Sequence, residues 1–115
     1  MKKITLFFLI SVVLFSCGSS ETSLYSWYKS DKAYYNYIRK QNPKSYKKLK
    51  SEYQKVLTRQ NGTRKTVPPG INAEYGYMLC KEGKMEEGKQ YLNEEMNLYP
   101  ESSTFISNIL KQMEK

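Results

Sequence analysis

No histidine occurs anywhere in the 115 residues. The chain therefore lacks the side chain best suited to proton transfer near neutral pH, which is also the commonest nitrogen ligand for metals. Cysteine is nearly absent. Cys17 and Cys80 are the only two, too few for a disulfide framework or a four-cysteine zinc site. The six glycines build no phosphate-cradling loop, and there is no GxSxG elbow or CxxC pair. Acidic groups are in deficit, 11 against 19 basic. Two adjacent pairs, Glu86-Glu87 and Glu94-Glu95, would point about 100° apart on a helix. They read as solvated faces rather than as paired acid and base. Long alternating β-branched runs are missing as well, which argues against a sheet. These absences leave no catalytic set, no cofactor site and no small-molecule substrate site. The expectation is a non-enzymatic protein.

What is present begins at the N-terminus. Met1-Lys2-Lys3 is a short basic segment, and Ile4 to Phe15 is apolar except for Thr5 and Ser11. A spanning helix needs about 20 apolar residues, so this run reads as a targeting segment. Leu14-Phe15-Ser16-Cys17 resembles a bacterial lipobox, Leu-x-[Ala/Ser/Gly]-Cys, with Phe15 standing where a smaller residue is usual. The resemblance implies cleavage of residues 1–16, acylation of Cys17 (palmitate-type chains) and membrane attachment. Gly18 follows the cysteine in place of the Asp that retains lipoproteins at the inner membrane. The expected location is the cell envelope, lipid-anchored, on the periplasmic side of the outer membrane. The mature chain would have 99 residues, 17 of them basic and 11 acidic. With Cys17 acylated, Cys80 has no thiol partner.

Residues 17–24 read as the acylated cysteine and a flexible, small-residue tether. Residues 25–115 read as one helical domain. Ser30-Asp31 can cap a helix through about Gln41, with Tyr34, Tyr35, Tyr37 and Ile38 as its apolar positions. Asn42-Pro43 restarts the chain as a helix. There Tyr46, Leu49, Tyr53, Val56 and Leu57 share one face, and Asn61-Gly62 ends it. Val67-Pro68-Pro69-Gly70 is an extended lead-in. Helices follow over about Ile71–Glu82, with Tyr75, Met78 and Leu79 inward, and Met85–Tyr99, separated by Gly83. Pro100 stops the second. Ser102 or Ser103 would cap a last helix bearing Phe105, Ile106, Ile109, Leu110 and Met113 on one stripe. The fold class is all-α, with five helices.

Residues 69–102 resemble a tetratricopeptide (TPR) repeat, a 34-residue helix–turn–helix unit. Tyr75-Gly76, Leu79, Gly88 and Leu92 fall on its consensus positions, and Pro100 on its terminal proline. Asn72 stands where Trp is usual and Glu95 where Ala is usual. Interior helix glycines cost about 1 kcal/mol each against alanine, so Gly76 and Gly88 call for a close helix approach. One repeat cannot bury its own face. Residues 30–60 would then form a degenerate first hairpin and the final helix a cap. The full expectation is TPR-like helical hairpins with a C-terminal capping helix. In such hairpins the first helix lines a concave groove, which assigns Ala73, Tyr77, Cys80 and Lys81 to a partner-binding surface. The alternative places Tyr77 in the core and Cys80 as a small buried hydrophobe.

Tyr25-Ser26-Trp27, Val67–Gly70, Ala73–Tyr77, Gly83-Lys84 and Tyr99–Ser102 also resemble a small family of bacterial lipoproteins with a domain of unknown function. Tyr28 stands where that family usually has Gly. The resemblance implies a TPR-like lipoprotein often found beside CsgG-like outer-membrane secretion lipoproteins. It carries no activity, and it makes an envelope protein, of the CsgG-like kind, the expected partner. Tyr25 and Trp27 are either a first core anchor or an exposed aromatic pair.

Charge divides the chain. Residues 29–65 hold 12 basic and two acidic groups; residues 66–115 hold five and eight. Export argues against nucleic acid as the partner. Anionic lipid is the nearest charged surface to an anchored domain, with Lys40, Lys44, Lys47 and Lys48 as the candidate membrane-facing groups. A merely solvated basic face is the alternative. Two functions follow from the whole: a membrane-anchored, TPR-like protein-interaction adaptor in a secretion or surface-assembly complex, or a membrane-apposed structural lipoprotein whose basic half binds anionic lipid or envelope polymer.

Overall fold

The computed structural model describes Lys3 and residues 22–115. The targeting segment and Cys17 lie outside the described residues, Lys3 apart. Five α-helices and no strand are found among the described residues: α1 (Ser30–Lys40), α2 (Pro43–Thr58), α3 (Ile71–Lys81), α4 (Met85–Leu98) and α5 (Ser103–Met113). A short 3₁₀ turn, Pro100–Ser102, joins the last two. The chain is all-α.

The helix ends show why these residues form these elements. Asn42 is extended, and its Oδ1 accepts from the Ser45 N–H at 2.8 Å. Ser45 returns the contact to the Asn42 N–H, and Pro43 fills the first helical position with its φ already set. Gly83, at φ +85°, closes α3. The N–H of Lys84 reaches Leu79 O at 2.9 Å and that of Gly83 reaches Cys80 O at 3.0 Å, the paired bonds of a Schellman ending.

Two caps differ from the sequence expectation. Ser30 is the first residue of α1 and not its cap; its Oγ donates to Trp27 O at 2.7 Å. Ser102 and Ser103 likewise donate to the carbonyls of Tyr99 and Pro100, because the 3₁₀ turn has already spent the capping position. Helix α2 ends at Thr58, two residues early. Its last turn is satisfied instead by Thr58 Oγ1 donating to Gln54 O and Gln60 Nε2 donating to Val56 O.

The helices run antiparallel in sequence order. Tyr37 meets Tyr46 across α1 and α2. Tyr46 reaches Glu82, and Gln54 reaches Tyr75, across α2 and α3. Lys89 meets Glu114 across α4 and α5. One end of the array therefore collects the start of α1, the end of α2, the start of α3 and the end of α4. The other end carries the α1–α2 and α3–α4 turns.

The core has two parts. Ala33, Leu49, Tyr53, Val56, Ile71, Tyr75, Met78 and Leu79 fill the space between α1, α2 and α3. Cys80, Leu92 and Ile106 fill the space between α3, α4 and α5. Burying an aliphatic side chain such as Leu79 or Leu92 stabilises by roughly 1.5–3 kcal/mol, and both are fully enclosed. Helices α3 and α4 meet through glycine. A Cβ at Gly76 would stand 2.7 Å from Gly88 O, and one at Gly88 would stand 2.6 Å from Gly76 O. Asn72 is buried on α3, and its Nδ2 has no acceptor among the described residues.

Three expectations are corrected here. On α1, Tyr34, Tyr35 and Ile38 are exposed, and Ser30, Ala33 and Tyr37 face inward. Phe105, assigned to the inward stripe of α5, is 66 % exposed. Glu95 is no solvated carboxylate. It is 2 % exposed, and it accepts from the Gly70 N–H at 2.6 Å and the Ala73 N–H at 3.3 Å. The α3 N-terminus has a glycine where a capping side chain would stand, so a carboxylate from α4 supplies the missing acceptor, favourably placed on the helix dipole.

Ser23 and Leu24, expected to belong to a flexible tether, are held in place. Ser23 O and Leu24 O accept from the N–H groups of Thr63 and Arg64, both at 3.1 Å. Ser26 and Gln60 exchange bonds at 3.0 and 2.9 Å. Residues from Ser23 on are therefore tied to the loop after α2. Gly62 allows this: a Cβ there would lie 2.3 Å from Leu24 O.

Candidate functional site

Tyr34 and Ile38 on α1 and Tyr77 on α3 are exposed on one face, to which α5 adds a third wall. Tyr77 on α3 is 44 % exposed. Between α3 and α5 it borders a groove of about 550 Å³, with Ala73, Lys81, Phe105 and Ile109. On its other side, towards α1, a second hollow of about 410 Å³ is bordered by Tyr34, Ile38, Tyr46 and again Tyr77 and Lys81. Tyr77 and Lys81 thus form the ridge shared by both halves of one continuous face.

That face is mostly apolar and carries few charges. Lys81 Nζ lies 5.9 Å from the centroid of the Tyr77 ring, a cation–π distance. Glu74 accepts a hydrogen bond from the Tyr53 hydroxyl. Burial, and then that carboxylate, push Tyr53 well above its ordinary value. At the far rim Tyr46 donates to Glu82 at 2.9 Å. Burial followed by the Glu82 contact raises Tyr46 to about 12, and Lys50 beside Glu82 holds that carboxyl below its usual range. Tyr53 and Tyr46 are therefore neutral hydroxyls near pH 7. The arrangement offers stacking, apolar contact and one ammonium. It is suited to gripping a side-chain-bearing segment.

Of the four residues assigned to a partner groove, Ala73, Tyr77 and Lys81 line this face. Cys80 does not. It is 7 % exposed, its Sγ lies against Gly88, and burial raises its thiol. A step of one residue from Lys81 turns the side chain about 100° round the helix, into the α3–α4 contact. Lys40, Lys44 and Lys48 gather around a small hollow at the α1–α2 turn. Lys47 is exposed but does not line it. Lys48 is already engaged with Glu52 at 2.8 Å. Cys17 lies outside the described residues.

The sequence reading missed Phe105 and Ile109 as a groove wall, because an apolar stripe on α5 looks the same whether it faces a core or a cleft. It missed Glu52 too. This side chain is 1 % exposed, bound by Lys48 and by Lys55 at 2.9 Å. The Lys48 and Lys55 hydrogen bonds lower its carboxyl to about 2. Among the described residues no cluster of His, Cys, Asp or Glu could hold a metal ion, and no helix is long and apolar enough to cross a membrane.

A family model, the domain of unknown function DUF4810, matches residues 24–109. The chain belongs to the DUF4810 family. Comparison with curated proteins and with solved structures gives no match. The DUF4810 match opens at Leu24, the residue whose carbonyl binds Arg64. The family unit therefore begins where the chain docks on its own loop, and it extends through the α5 wall of the groove to Ile109.

Proposed function

We propose that this DUF4810 chain is a lipid-anchored cell-envelope protein and a non-enzymatic, TPR-like interaction adaptor. The observation that carries the reading is the pairing of exposed Tyr77 and Phe105 on facing walls of one groove. Large apolar groups in a groove are what an interaction surface needs and what a solvated face avoids. The order of the helices supports the repeat-like reading. First members of each pair, α1 and α3, lie with α5 along the groove, α2 adds Tyr46 at its rim, and α4 lies behind. Lys81 would meet a carboxylate on the bound segment, and Tyr77 would supply rigid amphipathic contact. An envelope protein is the proposed partner, in a secretion or surface-assembly complex containing a CsgG-like lipoprotein.

Two measurements test the reading. The mass of the N-terminal peptide from membranes reports whether Cys17 carries acyl chains. Crosslinking in cells followed by pull-down compares wild type with Tyr77→Ala/Lys81→Ala. One dominant envelope protein, recovered with wild type and lost with the double variant, is the expected result. Equal recovery of background in both would sink the adaptor.

The second reading, a membrane-apposed structural lipoprotein, is favoured by the charge of residues 29–65, 12 basic groups against two acidic. Binding to anionic vesicles that collapses with salt would favour it, since exposed charges are screened beyond about 10 Å at 0.1 M.

A further inference from the structure

The antiparallel array decides which part of this domain an anchor at Cys17 would hold against the bilayer. Residue 22 is five steps from Cys17, a reach of at most about 17 Å. From Ser23 the chain is bonded to the loop after α2, so the tether joins the end of the array that collects the starts of α1 and α3. Lys40 and Lys44 lie at the opposite end, about one length of α2 away, roughly 24 Å for its 16 residues, and Lys48 is engaged by Glu52. They are poorly placed for the membrane.

The tether end is differently built. Leu24, Trp27 and Tyr28 are all exposed there. Tyr28 is pinned by its hydroxyl, which donates to Arg59 O. Trp27 stands edge-on to Tyr25 at 6.2 Å, and Tyr25 accepts from Arg64 Nη1 at 2.9 Å. The side chains of Lys29, Arg59 and Lys65 are exposed at the same end and make no ion pair among the described residues. Tryptophan and tyrosine sit at headgroup level in a bilayer, and lysine and arginine meet anionic phosphates beside them.

We infer that this tether end is a membrane-contact face, with Leu24, Trp27 and Tyr28 seated among the headgroups of an anionic bilayer and Lys29, Arg59 and Lys65 on its phosphates. The inference rests on the anchor reading of Cys17. It sets the helices upright on the membrane, so the Tyr77 groove opens sideways, towards a neighbour in the same membrane.

Trp27 is the single tryptophan, which makes the test direct. The chain from Cys17 onward, which contains all five helices, is coupled through Cys17 to vesicles by a maleimide lipid; burial keeps the reagent off Cys80. Vesicles of phosphatidylglycerol with brominated chains should quench Trp27 about two-fold or more relative to unbrominated ones, as for a residue at interfacial depth. Phosphatidylcholine vesicles, or Lys29→Gln/Arg59→Gln/Lys65→Gln, should abolish most of that quenching. Lys40→Gln/Lys44→Gln/Lys47→Gln at the far end should leave it unchanged. Equal fluorescence on brominated and unbrominated anionic vesicles overturns the inference, as does quenching that follows the far-end lysines or ignores lipid charge. The coupling is chemical, so none of these outcomes depends on acylation in the cell, which the mass of the N-terminal peptide reports separately.

Discussion

Replacing Gly88 by alanine should destabilise the domain, although alanine is the better helix former. Propensity alone favours the change by about 1 kcal/mol. Packing opposes it. The new Cβ would stand 2.3 Å from Cys80 Sγ and 2.6 Å from Gly76 O, against an attractive separation of roughly 3.5–4 Å. The sulfur sits on a short side chain enclosed by α4, and the oxygen is backbone, so relief requires α3 and α4 to move apart by about 1 Å. That loosens Leu79 and Leu92, both fully buried. Overpacking of this kind costs about 1–3 kcal/mol and more when backbone must shift. The net expectation is a loss of about 2 kcal/mol, or a fall in Tm of roughly 10 °C for a domain of this size. Thermal and urea unfolding followed by circular dichroism would read it. Cys80→Ala in the Gly88→Ala background should restore part of the loss, since it removes the sulfur contact and leaves the carbonyl one. A Gly88→Ala variant as stable as wild type, or more so, would refute the close-approach argument.

Three other outcomes are expected. Glu95→Ala strips the acceptor from two N–H groups at the start of α3 and should cost about 1–3 kcal/mol in unfolding free energy; Glu95→Gln, which keeps one acceptor oxygen, should cost clearly less. Tyr28 holds φ +52°, where a side chain costs roughly 1–2 kcal/mol relative to glycine; Tyr28→Gly should be close to neutral because relief offsets the lost bond to Arg59 O, and Tyr28→Ala, which keeps the strain and loses the bond, should be the less stable of the two by urea titration. Glu52 is held at about 2 against an ordinary 4.5, so the folded state binds its proton less readily than the unfolded one. Its contribution is complete above pH 4.5 and is lost as pH falls towards 2. Solvent around the half-exposed Lys48 and Lys55 screens the pairs, leaving roughly 1–2 kcal/mol. Glu52→Gln should therefore flatten the acid limb of the stability curve.

The positive φ at Tyr28 is a conformation that favours glycine. The residue sits where the chain leaves its docked segment and turns into α1, and only glycine adopts that conformation freely. The tyrosine here is retained at a cost and has a bond of its own, to Arg59 O. It also adds an exposed ring to the tether end.

Much of the helical plan can be read from short-range chemistry. Asn42-Pro43, Gly83 and Pro100 mark boundaries because each acts on backbone within a turn of itself. The apolar steps from Tyr46 to Val56 describe a real inward face for the same reason: one helix sets its own periodicity. The glycines at 76 and 88 announced a contact, since nothing else would justify them in helix interiors.

What those local signals could not say is which partner each stripe meets. Tyr34 and Ile38 on α1 and Phe105 on α5 carry helix periodicity as convincing as that of α2, yet they face a groove, because α3 presents its Tyr77 side to them and reserves its Leu79 side for the core. Glu95 reads as a surface carboxylate until α3 delivers a helix start without a cap beside it. Ser23 and Leu24 read as tether until Gly62, 38 residues on from Leu24, lets the loop come within bonding distance. The sequence by itself determined that this is a basic chain with five helices among the described residues and with the ends marked by Asn42-Pro43, Gly83 and Pro100. The tertiary structure decided which apolar residues are core and which are surface, and which end of the array residues 23–26 dock on, because both depend on contacts between residues far apart in the chain.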